Sequence, residues 1–227
     1  MVQNVRTGII ILAAIATAPA MAGLFNSTLT PAESQKIQHL AVVSILGETL
    51  HGRQIGLTVF GNKGFDEQVL NWGLDGDARS HLLEKIVASK KFAGSIEPLV
   101  VVADDQKAIL ALAREGNFDA VIAVLPVDNP HDRLLPAGPG IIRKKALGID
   151  HLRACDSMII RIWRVADGKQ LGSGFAYPCA VAPVAGVWHD KWSDFTEEEK
   201  RSTLESIRSF VIGQIDRALI DLKILQP

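Results

Sequence analysis

Two cysteines in this chain stand at equal distances from a tight-turn signal, and that symmetry constrains the fold more than any other feature. Cys155 and Cys179 each lie twelve residues from Asp167, the middle residue of Ala166-Asp167-Gly168. The flanking segments, Asp156–Val165 and Lys169–Pro178, are strand-like. A three-residue hairpin loop, a type I turn closed by a glycine in the left-handed region, joins such strands. It pairs Val165 with Lys169, Trp163 with Leu171, Ile159 with Phe175 and Cys155 with Cys179. Directly opposed residues stand about 4.5–5.5 Å apart, within reach of a disulfide. A one-residue slip would instead leave two unpaired small core residues. No Cys-x-x-Cys spacing occurs, so a bridge here is structural rather than redox-active.

The hairpin has unequal faces. Met158, Ile160 and Ile162 point one way, beside Gly172, Gly174 and Ala176, which leaves room for a helix to approach closely. Ile159, Trp163, Leu171, Phe175 and Tyr177 point the other way, interrupted by Arg161 and Ser173. Both faces are therefore covered, and the hairpin belongs inside a sheet rather than at its rim.

Residues 1–22 read as a secretory signal. Arg6 is the charged n-region, Gly8 to Thr17 the apolar run, and Ala20-Met21-Ala22 the small-residue cleavage site, so the mature chain starts at Gly23. The competing reading is an uncleaved anchor, but an apolar run of about ten residues does not span a bilayer core of roughly 30 Å. No cysteine sits near the cleavage point, which disfavours a lipoprotein. Export permits disulfides. Nearly half the residues are hydrophobic, which excludes wholesale disorder, and the formal charge of −1 offers no basic surplus for nucleic acid.

Along the rest of the chain, Thr30-Pro31 opens a short helix. His39–Leu46 is a buried strand, and Arg53–Phe60 alternates and pairs with it across a turn at Gly47–Gly52. Asp77 caps a helix to about Lys91, with Leu82, Leu83, Ile86 and Val87 facing inward. Pro98–Ala103 is a strand. Asp104–Gly116 is a helix with acids at its positive end and Gly116 as its stop. Asp119–Leu125 is a continuous apolar strand, as expected where helices cover both sheet faces. Thr196 and Glu199 form a capping box for a helix to about Leu222, striped by Leu204, Ile207, Val211, Ile215, Ala218 and Leu222. The predicted fold is a single α/β domain over 23–227, a mixed β-sheet flanked by helices with a long C-terminal amphipathic helix.

Motifs for chemistry are sparse. The sequence holds no His-Glu-x-x-His, Walker loop, Gly-x-Gly-x-x-Gly or nucleophile elbow. The six histidines, at 39, 51, 81, 131, 151 and 189, have no metal-ligand spacing. Gly172-Ser173-Gly174 lies within a strand rather than on a strand-to-helix turn. Ile45-Leu46-Gly47-Glu48-Thr49-Leu50 resembles the opening block of Gly-Asp-Ser-Leu esterases, but Glu and Thr replace the Asp and Ser that carry the chemistry. Asp104-Asp105 could be a carboxylate pair, which helix capping explains more simply.

Two segments read as long loops, 126–152 and 180–194. The first carries the basic cluster Arg143, Lys144 and Lys145; the second carries Trp188, His189, Asp190 and Trp192. Loops of that length in compact domains tend to be functional, and Trp and Arg are favoured contact anchors. Arg143, Lys144, Lys145, Trp188, His189 and Trp192 are therefore the candidate binding residues. The equal alternative is that the loops merely cover sheet ends, with both tryptophans buried.

Leu40–Leu46, Asp119–Val124, Ile159–Leu171 (IIRIWRVADGKQL) and the helix after Thr196 together resemble the layout of exported α/β domains of the TolB amino-terminal and CsgG-like group. The chain departs from that layout in lacking a lipobox, in its strand at 53–60 and in its longer central loop. The resemblance implies a non-catalytic accessory or assembly part of an envelope complex. The resulting expectation is a periplasmic protein that works by contact with an envelope protein. It has no cofactor or metal, no nucleic-acid partner and no stable membrane anchor after cleavage; its oligomeric state is open. The alternative is an envelope hydrolase of esterase type using Glu48, Asp104 or His189.

Overall fold

One strand of sixteen residues, about 50 Å long at the rise of an extended chain, organises the molecule. A computed structural model describes residues 28–56, 59–101, 105–128, 137–146, 149–175, 179 and 187–226, with backbone alone at 59, 146, 149 and 150. The expected leader at 1–22, Asp104, Ala176, Tyr177 and positions 180–186 of the second predicted loop lie outside those residues. The described order is α1 (Pro31–Ser34), β1 (His39–Ser44), β2 (Thr49–Ile55), β3 (Lys63–Gln68), α2 (Leu74–Ser89), β4 (Ser95–Pro98), α3 (Gln106–Glu115), β5 (Ala120–Pro126), β6 (Gly138–Ala146), β7 (Ile149–Arg164), β8 (Gln170–Phe175) and α4 (Glu197–Asp221).

β7 carries two different neighbours end to end. Its C-terminal half pairs antiparallel with β5, from Met158 opposite Pro126 to Arg164 opposite Ala120. Its N-terminal half pairs antiparallel with β6, from Ser157 opposite Gly138 to Ile149 opposite Ala146. Ile159 has Leu125 on one edge and Phe175 of β8 on the other, while Cys155 has Gly140 and Cys179. β5 and β6 thus share one edge of β7, and β8 runs along the other with no further strand beyond it among the described residues, so this limb of the hairpin lies at the rim of the sheet and not inside it as expected. Beyond β5 lie β1 and β4, all parallel. Beyond β6 lie β2, parallel to it, and β3, antiparallel to β2. The result is a body (β8, β7, β5, β1, β4) and a four-stranded distal extension (β7, β6, β2, β3) in one mixed sheet of eight strands.

Helices cover both faces of the body, which is why β1 and β5 are so strongly apolar. Leu40, Val42, Ile122, Val124, Met158, Ile160 and Ile162 pack with Leu82 and Ile86 of α2 and with Ile207, Val211 and Ile215 of α4. On the other face Ala41, Val43, Val121, Ala123, Ile159 and Trp163 meet Ile109 and Ala113 of α3. The small residues of β8 admit α4 closely, as their pattern predicts: a Cβ on Gly174 would lie 2.6 Å from the Ala218 carbonyl oxygen. Both predicted helix starts, at Thr30 and Thr196, are present, and each carries a capping box.

The hairpin holds a compensation that turn chemistry alone does not reveal. Gly168 is left-handed as predicted (φ +68°), but the Arg164 N–H donates to the Lys169 carbonyl, so the loop is one residue longer than expected. Trp163 consequently faces Gln170 rather than Leu171. A bulge between Ile162 and Trp163 absorbs the extra residue, and Ile159 still faces Phe175. Leu171 is thereby turned onto the α4 face, opposite to its predicted side. Cys155 and Cys179 remain opposed and are disulfide-bonded, with Cα atoms 4.0 Å apart.

Other boundaries move for identifiable reasons. The 126–152 interval is not one long loop, since it contains β6 and the start of β7. The strand expected at 53–60 is β2 at Thr49–Ile55; it pairs with β6 and β3 and not with β1. Phe60 falls on the turn before β3, an unpredicted strand. The strand expected at 98–103 is β4, ending where that one was to begin, and Val100 is exposed. α2 starts at Leu74 after Gly73, three residues before the expected cap; Asp77 instead pairs with Arg208. Leu74 and Ala78 join Leu82 and Ile86 inside, while Val87 is exposed. α3 is capped by Asp105, whose side chain accepts from the Ala108 N–H. Asn117, rather than Gly116, takes the left-handed turn after it.

Candidate functional site

The distal extension ends in a pinned tip. The Gly56 N–H donates to Asn62 Oδ1 at 3.0 Å, and Gln54 Nε2 donates to the Gly61 carbonyl at 3.3 Å. The two limbs approach so closely that a Cβ on Gly56 would sit 2.8 Å from Gly61 Cα. The turn between them presents Phe60 to solvent at 96% exposure, the most exposed of the large apolar side chains among the described residues.

Basic residues gather at the same end. β2 and β6 are parallel and finish together, with Ile55 beside Lys144. Lys144 and Lys145 are exposed. Arg143 is half-buried and donates to Gln54 Oε1 at 3.3 Å. Within 55–63, 142–153 and 187–191 the sequence carries six Lys or Arg and two Asp, in a chain whose formal total is −1. The outer end of the extension thus has a local basic excess, while β3 carries Asp66 and Glu67 further back.

An aromatic clamp holds that end to the body. Phe65 of β3 lies with its ring centroid 5.6 Å from Trp188, 6.2 Å from Trp192 and 6.1 Å from Phe195. Trp188 Nε1 donates to Asp190 Oδ1 at 3.2 Å, and Asp190 in turn bonds the Lys63 ammonium. The Lys63 and Trp188 hydrogen bonds hold the Asp190 carboxyl below its ordinary value. His189 stacks edge-on against Phe195 at 4.8 Å and pairs with Glu199 Oε2 at 3.4 Å. On β2 and β3, burial of Asp66 is outweighed by hydrogen bonds from His51 and Arg53, each at 2.7 Å, and its carboxyl also lies low.

Of the six candidate residues, the structure brings Arg143, Lys144 and Lys145 together on the distal end. Trp188 and Trp192 are 7% and 8% exposed, so they are core rather than exposed contact anchors. Their indoles pack against Phe65, the one apolar side chain of β3. His189 is half-buried within the same clamp. Among the described residues no bond joins His189 to Glu48, whose carbonyl accepts the Val69 N–H. No group of three or more His, Cys, Asp or Glu able to hold a metal occurs among the described residues. No helix among them is long and apolar enough to cross a membrane.

A buried acid was not anticipated. Asp156 is fully buried on the α2–α4 face of β7, and neither carboxyl oxygen has a hydrogen-bond partner among the described residues. Burial first, and then the charge of Asp75, push its pKa up to about 8. Asp75, in the first turn of α2, accepts from Ser44 Oγ at 2.8 Å and from the Leu46 N–H at 2.6 Å. The alternation that puts Met158, Ile160 and Ile162 inward puts Asp156 inward too, and that was the available signal. At the opposite end of the body, a cleft of about 600 Å³ is lined by Lys36, Arg114, Asp119 and Arg164. Most of its charges are engaged in the fold: Arg114 donates to the Val165 carbonyl, Arg164 pairs with Asp167, and Asp119 accepts from the Gln38 and His39 N–H groups.

No family model matches the chain, and no curated protein matches it by sequence. Solved structures similar over most of its length include the following three. A PelC dodecamer from Paraburkholderia phytofirmans matches at 11% identity and a TM-score of 0.36, covering 88% of this chain and 96% of that one. A single-substitution form of the same PelC dodecamer matches at 10% identity and a TM-score of 0.37, covering 87% and 93%. Protein XCC0632 from Xanthomonas campestris, of family DUF330, matches at 10% identity and a TM-score of 0.41, covering 87% and 90%.

Proposed function

We propose that this chain is an exported accessory or assembly protein of the cell envelope that works by contact, through the distal end of its sheet. The observation that carries the reading is that end itself. Phe60 is 96% exposed at the end of the extension where β2 and β6 finish together and where Lys144 and Lys145 are exposed. Isolated exposed apolar residues are common, but one held out at the end of an extension amid a local basic excess is a contact device. The leader at 1–22 and the Cys155–Cys179 disulfide both suit an oxidising compartment outside the cytosol. The similarity in layout to TolB amino-terminal and CsgG-like domains points the same way and is part of this proposal.

The test is capture from native envelope fragments by the mature chain. Wild-type protein is expected to be retained, and Lys144→Glu/Lys145→Glu to be retained at least about tenfold less, with unchanged thermal unfolding. Equal retention of the two would remove the distal end as the contact surface.

A further inference from the structure

The chemistry of that distal end also indicates what it touches, an inference that rests on the contact reading above. We propose that the tip docks reversibly on an anionic phospholipid surface, with Phe60 entering the interfacial layer and Lys144 and Lys145 lying over the headgroups. Phe60 is 96% exposed at the end of the extension, next to the limbs joined by the Gly56–Asn62 and Gln54–Gly61 hydrogen bonds. β2 and β6 end together, which sets the lysines of β6 at the level of the tip. Lys144 and Lys145, both exposed, complement a negative surface. The membrane interface takes an apolar ring and basic side chains together. No helix among the described residues crosses the bilayer, so the association is peripheral.

The protein supplies its own clean reporter. All four native tryptophans, at 72, 163, 188 and 192, are buried, so an indole placed at position 60 is the one that lipid can reach. The disulfide-intact chain from Gly23 is mixed with vesicles of phosphatidylcholine, with or without phosphatidylglycerol, and sedimented. Binding is expected to the anionic vesicles alone and to fall with salt. Lys144→Glu/Lys145→Glu is expected to weaken it at least about 25-fold, from roughly fivefold per lysine charge lost near such a surface. Phe60→Ser is expected to weaken it about tenfold or more. The fluorescence of Phe60→Trp is expected to be quenched by brominated lipid. Failure of the wild type to sediment with anionic vesicles overturns the inference. So does binding that Phe60→Ser leaves intact and in which Phe60→Trp escapes quenching, because charge alone then suffices. If vesicles fail while capture from envelope fragments still depends on Lys144 and Lys145, the contact reading survives and its target is a protein.

Discussion

Replacing Asp156 by Asn should change how stability depends on pH more than it changes stability itself. The carboxyl is fully buried without a hydrogen-bond partner among the described residues, and its pKa stands at about 8 in the folded protein against roughly 3.9 in an unfolded chain. The folded state therefore holds this proton more tightly than the unfolded state does. Its contribution to stability is complete below about pH 4 and is lost as pH rises through 8. Each unit in that window costs about 1.4 kcal/mol, on the order of 5 kcal/mol across the whole of it. Asp66 and Asp190, whose values are lowered, behave oppositely: their contribution is present above pH 4 and disappears only in acid, so they are flat from pH 5 to 8. Asparagine cannot ionise. It brings a buried amide with unmet donors, a pH-independent cost of about 1–3 kcal/mol. Urea unfolding of both proteins at pH 5, 6, 7 and 8 separates the two effects. The wild type should lose about 1.4 kcal/mol more per unit than Asp156→Asn, with the curves crossing as pH rises. Parallel curves would mean that Asp156 is ionised inside the fold, or reached by water, and the argument from burial would fail.

Other outcomes follow from the packing. Cys155→Ser/Cys179→Ser should lower stability by about 3 kcal/mol for the loop the bridge closes, read by denaturant midpoint under oxidising conditions. Gly174→Val should cost about 2 kcal/mol or more, because its side chain meets the Ala218 carbonyl at the α4 contact; a midpoint equal to wild type would place α4 elsewhere. Trp192→Ala should cost about 3–5 kcal/mol as a core truncation, and loss of envelope capture without loss of stability would restore it as a contact anchor. Lys63→Ala should cost less than about 1 kcal/mol, since its pair with Asp190 is half-exposed; a larger loss in the same unfolding experiment would make that ion pair part of the clamp.

The sequence was most legible where local chemistry and tertiary packing agree. β1, β5, α4 and the Asp-Gly hairpin are such elements. The opposition of the two cysteines was correctly read although two assumptions beneath it were not, because the longer turn and the bulge beside Trp163 cancel. β3 escaped because Lys63-Gly-Phe-Asp-Glu-Gln68 is an edge strand with one apolar residue, and its stability comes from the clamp on Phe65. β6 escaped because it opens Gly-Pro-Gly and continues into Arg-Lys-Lys, leaving only Ile141 and Ile142 as strand signals. Periodicity cannot say what β2 pairs with, since β6 arrives some ninety residues later. The basic residues of the candidate site were found from composition. Phe60 was not, because it reads as the end of a strand until Gly56 and Gly61 are seen to face each other.

The most direct test of the account is the state of the protein recovered from its native cells without reductant. Intact mass measurement should find the chain outside the cytosol, starting at Gly23, and lighter by two hydrogens than its dithiol form, with Cys155 joined to Cys179. A cytosolic chain that still carries Met1 and has two free thiols would contradict export, the bridge and the envelope contact together.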